Sequence, residues 1–264
     1  MIRVVVTGVN GRMGSTICRG ILSEEDIKLV AGVSTGKAGM DIGQIIGVSD
    51  ISIKAVKTVE EALDSKPEVL IDFTHASVAP GNIIFALKNK IHAVVGTTGI
   101  DEQEIQKIKE KSDEGKANVI MTPNFAIGAV LMMNFVKKAA PNFKDCEIIE
   151  LHHDKKADAP SGTALATAEL IKYVYDSRKR LKEGEREKVE GARGCLTSNI
   201  HIHSVRLPGL MAHQEVIFGI TGQTLTIRHD SISRDSFLPG IFLAVRKIAK
   251  MPGFTYGIDK LLGF

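Results

Sequence analysis

The stretch Ile2-Arg3-Val4-Val5-Val6-Thr7-Gly8-Val9-Asn10-Gly11-Arg12-Met13-Gly14 decides the fold. Its first part is a short apolar, β-branched run that reads as a buried strand, and it ends at a glycine. Arg12-Met13 then opens a helical pattern over 12–22. Such a turn leaves backbone N–H groups unpaired at the positive end of a helix dipole, and its glycines let an anion approach the chain. The spacing is Gly-x-x-Gly-x-x-Gly rather than Gly-x-Gly-x-x-Gly, so the weight comes from the strand before it and the helix after it. That context points to a pyrophosphate, and so to a dinucleotide held by Gly8, Val9, Asn10, Gly11, Arg12 and Met13.

Outward from the turn, apolar runs at 27–33, 51–56, 68–74, 92–97 and 117–122 alternate with helical patterns at 59–65, 79–90 and 101–115. Alternation of this kind implies parallel strands joined by crossover helices, an α/β class with a Rossmann-type parallel sheet. The run Glu68-Val69-Leu70-Ile71-Asp72-Phe73-Thr74 is nearly all apolar until its end, as expected of a strand covered on both faces. Asp72 and Thr74 then fall at the ligand edge. After about residue 125 the rhythm changes to a helix at 127–139, a strand at 146–152 and a helix from 162 to 176. Three strands follow at 199–206, 213–220 and 223–229, two of them joined by Thr221-Gly222. They predict a smaller α+β domain with an open mixed, largely antiparallel sheet. A last helix over 234–250 returns the chain, so residues 1–126 with 240–264 form one domain and 127–239 the other.

A length of 264 residues suits two domains, and 44% hydrophobic with 25% charged residues supports ordinary cores. The net charge of +3 gives no ground for a nucleic-acid or membrane partner. Cys18, Cys146 and Cys195 match neither a disulfide framework nor a metal site, which fits a reducing, cytoplasmic setting. The N-terminal apolar run is too short for a signal-peptide core, and no run approaches the roughly 20 residues of a membrane span. The expected protein is soluble. The stretch 178–193 mixes basic and acidic residues with almost no apolar ones and reads as a solvated loop.

In many dinucleotide sites a carboxylate after the second strand holds the ribose hydroxyls. Here Ser34, Thr35 and Lys37 stand in that region, with no acid. Hydroxyls and a lysine suit a 2′-phosphate, so NADPH is the expected cofactor, with NADH possible; the plain alternative is a surface turn whose lysine touches nothing. Gly96-Thr97-Thr98-Gly99 and Thr122-Pro123-Asn124-Phe125 close two further strands at the carboxyl edge, as cofactor walls or as ordinary turns.

The densest chemistry is Glu150-Leu151-His152-His153-Asp154-Lys155-Lys156-Ala157-Asp158-Ala159-Pro160-Ser161-Gly162-Thr163-Ala164. A helix starting near Gly162 would present N–H groups to a carboxylate, and paired His and Lys beside it suggest proton transfer. The histidines as zinc ligands would require further donors, and no metal is expected. Ser161 resembles a nucleophile, but helix capping explains it more simply. A structural histidine pair stays open as a third reading.

This block, with Gly8 to Gly14, Asp72-Phe73-Thr74, Gly96 to Gly99 and Pro123-Asn124-Phe125 in the same order, resembles the 4-hydroxy-tetrahydrodipicolinate reductase (dihydrodipicolinate reductase) family of lysine and diaminopimelate biosynthesis. The resemblance spans nearly the whole chain, and His-His-x-x-Lys-x-Asp-Ala-Pro-Ser-Gly-Thr is its specific part. It implies a homotetramer joined through the C-terminal sheets that reduces a cyclic dicarboxylate imine with NAD(P)H. It implies that His152 and Lys156 are catalytic. It places His153, Ser161, Gly162 and Thr163 with the substrate, Gly162 and Thr163 as carboxylate-binding amides. It also assigns Gly8 to Met13, Gly96 to Thr98 and Thr122 to Phe125 to the cofactor. Closure of the two lobes is expected, with hinges near 125–130 and 235–241. Two departures stand out: Ser34-Thr35 replaces a Glu-Arg pair found in some members, and Arg206-Leu207-Pro208-Gly209 replaces Arg-Gly-Gly. The competing readings are another Rossmann dehydrogenase acting on an amino or oxo acid, and a dinucleotide sensor without turnover.

Overall fold

A computed structural model describes residues 1–114, 116–175 and 186–264. In chain order the elements are β1 (Ile2–Thr7), α1 (Arg12–Ile21), β2 (Ile27–Val33), α2 (Ile42–Ile46), β3 (Ala55–Val56), β4 (Val69–Asp72), α3 (Ala79–Lys88), β5 (His92–Val95), α4 (Glu102–Asp113) and β6 (Val119–Met121). They continue with α5 (Ile127–Ala139), β7 (Asp145–His152), α6 (Gly162–Tyr175), β8 (Cys195–Thr197), β9 (Ile200–Arg206), β10 (Ala212–Ile220), β11 (Gln223–Ser231), α7 (Leu238–Lys247) and β12 (Phe254–Tyr256). The chain forms two units, Met1–Ala126 with Arg234–Phe264, and Ile127–Ser233.

The first unit is built on a seven-stranded sheet in the order β12-β6-β5-β4-β1-β2-β3, and every pairing is parallel. This is the expected Rossmann-type sheet. Val4, Val5 and Val6 of β1 and Leu70 and Ile71 of β4 are fully buried because helices cover both faces. The chain turns one way from β1 to β2 and the other way from β1 to β4. Ligands bind at the crevice where strand order reverses, outside the carboxyl ends.

Several elements differ from the sequence reading. Only Ala55–Val56 of the run 51–56 joins the sheet. The buried Asp41 carboxylate accepts from the N–H groups of Ile51 (3.1 Å) and Ile53 (3.0 Å), which folds that segment back on α2 instead. The pattern at 59–65 yields a single 3₁₀ turn, Leu63–Ser65. The chain re-enters the first unit at Arg234 rather than at 240, through the 3₁₀ turn Arg234–Phe237, which packs on α1 and α7. It then adds β12, an edge strand too short to stand out in the sequence.

The second unit carries a five-stranded sheet in the order β11-β10-β7-β9-β8, antiparallel except for the pair β7 and β9. That is the open mixed sheet expected. Cys146 and Ile148 of β7, Val216 and Phe218 of β10 and Ile200 and Ile202 of β9 form one core with α5 and α6, closed by buried Tyr175. Burying each such aliphatic side chain contributes about 1.5–3 kcal/mol. Glu150 lies in phase with Cys146 and Ile148 and is itself fully buried, a carboxylate at the end of an apolar row. Of the basic stretch 178–193, residues 178–185 lie outside the described residues, and the rest forms no helix or strand.

Candidate active site

Two sets of residues carry the chemistry, one in each unit. In the first, Gly8 ends β1 with φ +69°, a conformation that favours glycine. Gly11 caps α1 from extended backbone with no side chain bonded to the helix start, which leaves the first-turn N–H groups for an anion. A Cβ on Gly14 would lie 2.1 Å from the Gly8 carbonyl oxygen, so α1 sits against the turn only because this residue has no side chain. Val9 is fully buried beneath the turn, and its N–H donates to the Val33 carbonyl at 3.2 Å.

The walls of the crevice are stitched by Asp72, fully buried at the end of β4. Its carboxylate accepts from the hydroxyls of Thr7 (2.8 Å), Thr74 (2.7 Å) and Thr97 (2.7 Å) and from the Asn82 amide (3.0 Å). One side chain therefore ties the carboxyl ends of β1, β4 and β5 together. Phe73 packs against Phe125 with ring centroids 5.5 Å apart, and a Cβ on Gly96 would collide with the Phe73 ring. Gly96 and Phe125 thus shape the β4–β5–β6 edge by packing.

A cavity of about 470 Å³ opens along this edge, lined by Gly8, Asn10, Gly11, Ser34, Thr35, Lys57, Thr58, Phe73, Thr74, His75 and neighbours. A smaller one of about 150 Å³ is lined by Thr97, Thr98, Gly99, Thr122, Pro123 and Tyr256. Ser34 is buried and donates to Asn10 Oδ1 at 3.0 Å, so its hydroxyl braces the glycine turn. Thr122 and Asn124 bond each other and the backbone of their own turn. Lys37, the expected cation, is absent from the lining, whereas Lys57 is part of it.

In the second unit the site grows from the end of β7. Parallel pairing with β9 sets His152 opposite Arg206. Arg206 grips Glu150 with both terminal nitrogens, at 2.9 and 2.8 Å, and also donates to the Asp158 carbonyl at 2.7 Å. His152 Nδ1 lies 2.5 Å from Glu150 Oε2, and the Ser161 N–H donates to Oε1 at 3.2 Å. Glu150 and Arg206 thus tie the loop 153–161 to the sheet. Burial alone would push the Glu150 carboxyl up, but the hydrogen bonds from Arg206, Ser204 and His152 hold it below its ordinary value. An ionised carboxylate only accepts, so Nδ1 of His152 carries the hydrogen and Nε2 of the neutral ring carries a lone pair. Burial lowers the His152 pKa, as do the nearby charges of Lys156 and Arg206, against the opposing pull of Glu150.

Beyond His152 the Lys156 ammonium, mostly buried, bonds both oxygens of the exposed Asp158 at 2.6 and 2.7 Å. Ser161 is the helix cap: its hydroxyl accepts from the Ala164 N–H at 3.2 Å. A Cβ placed on Gly162 meets nothing within 4 Å, so the start of α6 opens on free space. The helix is held from behind by Gln214, which donates to Thr167 at 2.8 Å. Glu150 and Arg206 do not stand out as site residues in the sequence. The signal available was a carboxylate in phase with a buried row.

Comparison with known proteins agrees with this layout. The family model described as dihydrodipicolinate reductase, N-terminus matches residues 2–125, and that described as dihydrodipicolinate reductase, C-terminus matches 128–262. The chain is 45% identical to a 4-hydroxy-tetrahydrodipicolinate reductase of Moorella thermoacetica, over 100% of this chain and 98% of the relative. It is 46% identical to one from Desulfitobacterium hafniense, over 99% and 98%. A dipicolinate-bound dihydrodipicolinate reductase from Paenisporosarcina sp. TG-14 superposes with a TM-score of 0.88 at 39% identity, covering 98% of this chain and 99% of that one. An amine dehydrogenase from Mycobacterium smegmatis shares the fold alone, at 12% identity and a TM-score of 0.66. With both halves matched and nearly half of all positions identical end to end, the chain belongs to the dihydrodipicolinate reductase family.

Proposed function

We infer that the chain reduces 4-hydroxy-tetrahydrodipicolinate to tetrahydrodipicolinate with NAD(P)H, a step of diaminopimelate and lysine biosynthesis, and that it prefers NADPH. The observation that carries the reductase reading is the Glu150–Arg206–His152 network set against the open start of α6. It ties the loop that carries His153 and Lys156 to the sheet beside a helix start able to receive a small carboxylate. The glycine cradle and the 470 Å³ cavity suit a dinucleotide, which Gly8 to Met13, Thr35, Gly96 to Thr98 and Thr122 to Phe125 would hold. Bound there, the reduced nicotinamide would supply a hydride.

The protein's own part is binding and proton supply. The N–H groups of Gly162 and Thr163 receive one substrate carboxylate, with His153 and the Ser161 cap alongside. The 4-hydroxyl leaves as water to give a conjugated imine; once that ring has accepted a hydride it becomes an electron-rich enamine and must take a proton. His152 is neutral with Nδ1–H committed to Glu150, so its Nε2 accepts and orients rather than donates. Lys156 is then the proton donor. That no described residue with a carboxylate lines the 470 Å³ cavity supports NADPH over NADH.

Cytoplasmic residence fits a chain whose three cysteines form no disulfide. Among the described residues no helix is long and apolar enough to cross a membrane. A homotetramer through the open sheet of the second unit fits the long, exposed edge strand β11. The deciding experiment supplies the condensation product of pyruvate and aspartate semialdehyde and follows loss of reduced-nicotinamide absorbance. Turnover with NADPH supports the reading, while cofactor binding without turnover would favour a sensor. Light scattering at several concentrations tests the tetramer.

A further inference from the structure

We propose that Lys57, just past the end of β3 and so beyond the strand that usually supplies the ribose ligand, is the cation that recognises the adenosine 2′-phosphate. The proposal rests on the NADPH reading above and assigns its charge. Parallel pairing of β2 with β3 sets Val33 opposite Val56, and the Ser34 N–H donates to the Val56 carbonyl at 2.9 Å. Lys57 is the next residue after that bond, so it leaves the sheet beside Ser34 and Thr35. All three line the 470 Å³ cavity that contains Gly8, Asn10 and Gly11. Lys37, although closer in sequence to the expected position, does not.

The surroundings suit a phosphate monoester. Among the described residues no carboxylate lines this cavity. Thr35 and Thr58 add hydroxyls next to the lysine, and Thr58 Oγ1 accepts from the Glu61 N–H at 3.3 Å, which leaves its O–H able to donate. The nearby Glu61 carboxylate accepts from the Lys57 backbone N–H at 2.8 Å. Ser34 is already committed to Asn10, so the charge and hydroxyls for a 2′-phosphate come from Lys57, Thr35 and Thr58. An acid in this position would repel the phosphate and reward a free hydroxyl instead.

The test measures dissociation constants of NADPH and NADH by fluorescence titration, with 2′,5′-ADP as a competing probe, on the full chain and on Lys57→Met and Lys37→Met. Losing a charge-assisted contact to phosphate should weaken NADPH and 2′,5′-ADP roughly 10- to 100-fold in Lys57→Met and leave NADH within ~3-fold. Unchanged NADH binding also shows that the variant is folded. Lys37→Met should leave all three ligands near their native values. If the native chain favours NADPH and Lys57→Met keeps that preference, or Lys37→Met abolishes it, the assignment to Lys57 is overturned while the NADPH reading stands. If the native chain binds NADH as tightly as NADPH, the NADPH reading fails and Lys57 has no 2′-phosphate to recognise.

Discussion

Glu150→Gln is the sharpest probe of the second unit, because the substitution preserves shape and removes only a charge and an acceptor. On one oxygen Glu150 receives Arg206 and His152, and on the other Arg206 and Ser161. A glutamine amide has one oxygen and one NH₂ group. Whichever way it turns, NH₂ faces two donors. The variant therefore loses two hydrogen bonds, at least one of them charge-assisted, and leaves a guanidinium with 19% side-chain exposure without its counter-charge. Charge-assisted bonds contribute about 1.5–3 kcal/mol each, and breaking a buried pair costs about 3–5 kcal/mol. Arg206 keeps the carbonyls of Val205 and Asp158, so the expected loss is at the lower end, about 3 kcal/mol. Urea unfolding at fixed protomer concentration reads it, and nitrogen shifts of the His152 ring report whether Nδ1 still carries the hydrogen. Adding Arg206→Met should cost little more than the first substitution, because the second removes an already stranded charge. A loss under about 0.5 kcal/mol with an unchanged tautomer would refute the network as the site's anchor.

Lys156→Met should lower kcat ~100-fold or more while NADPH binding stays within ~2-fold, and near-native kcat would return the proton donor to His152. Gly14→Ala should weaken dinucleotide binding at least ~10-fold, because the added Cβ lies 2.1 Å from the Gly8 carbonyl oxygen and must push α1 off the turn; a native titration curve would mean the helix shifts at no cost. Stability should also depend on pH with a fixed sign. Glu150 titrates below its ordinary 4.5, so its contribution is complete above that value and is lost as pH falls through the lower folded value. His152 titrates below its ordinary 6.5 and adds a loss of the same sign as the medium acidifies past that point. Urea midpoints that do not fall on acidification through these ranges would contradict both assignments.

What the sequence disclosed and what it hid follow from how far each interaction reaches along the chain. The glycine turn was legible because a strand, a turn and a helix are consecutive, and the clash that forbids a side chain at Gly14 is with Gly8, six residues away. The loop from His152 to Thr163 was legible for the same reason. Lys57 was not, because its place beside Ser34 depends on which residue of β3 meets Val33, and that register is set in space. The run at 51–56 misled because its β-branched residues suit a sheet, yet Asp41 claims its backbone N–H groups from ten and twelve residues away.

Glu150 is the instructive middle case. Alternation along β7 puts it on the same face as Cys146 and Ile148, so the pattern alone requires a buried carboxylate. A buried carboxylate requires a cation, since an unpaired charge in an apolar layer would neutralise instead. Which cation could not be read from β7. Once β9 pairs with β7 in parallel, however, Arg206 comes opposite His152 and within reach of Glu150 two residues back. The departure at Leu207-Pro208-Gly209 begins only after that arginine, so it leaves the pairing intact. His152 is thus oriented by a residue that the core pattern makes conspicuous, and the partner of that residue follows from strand register.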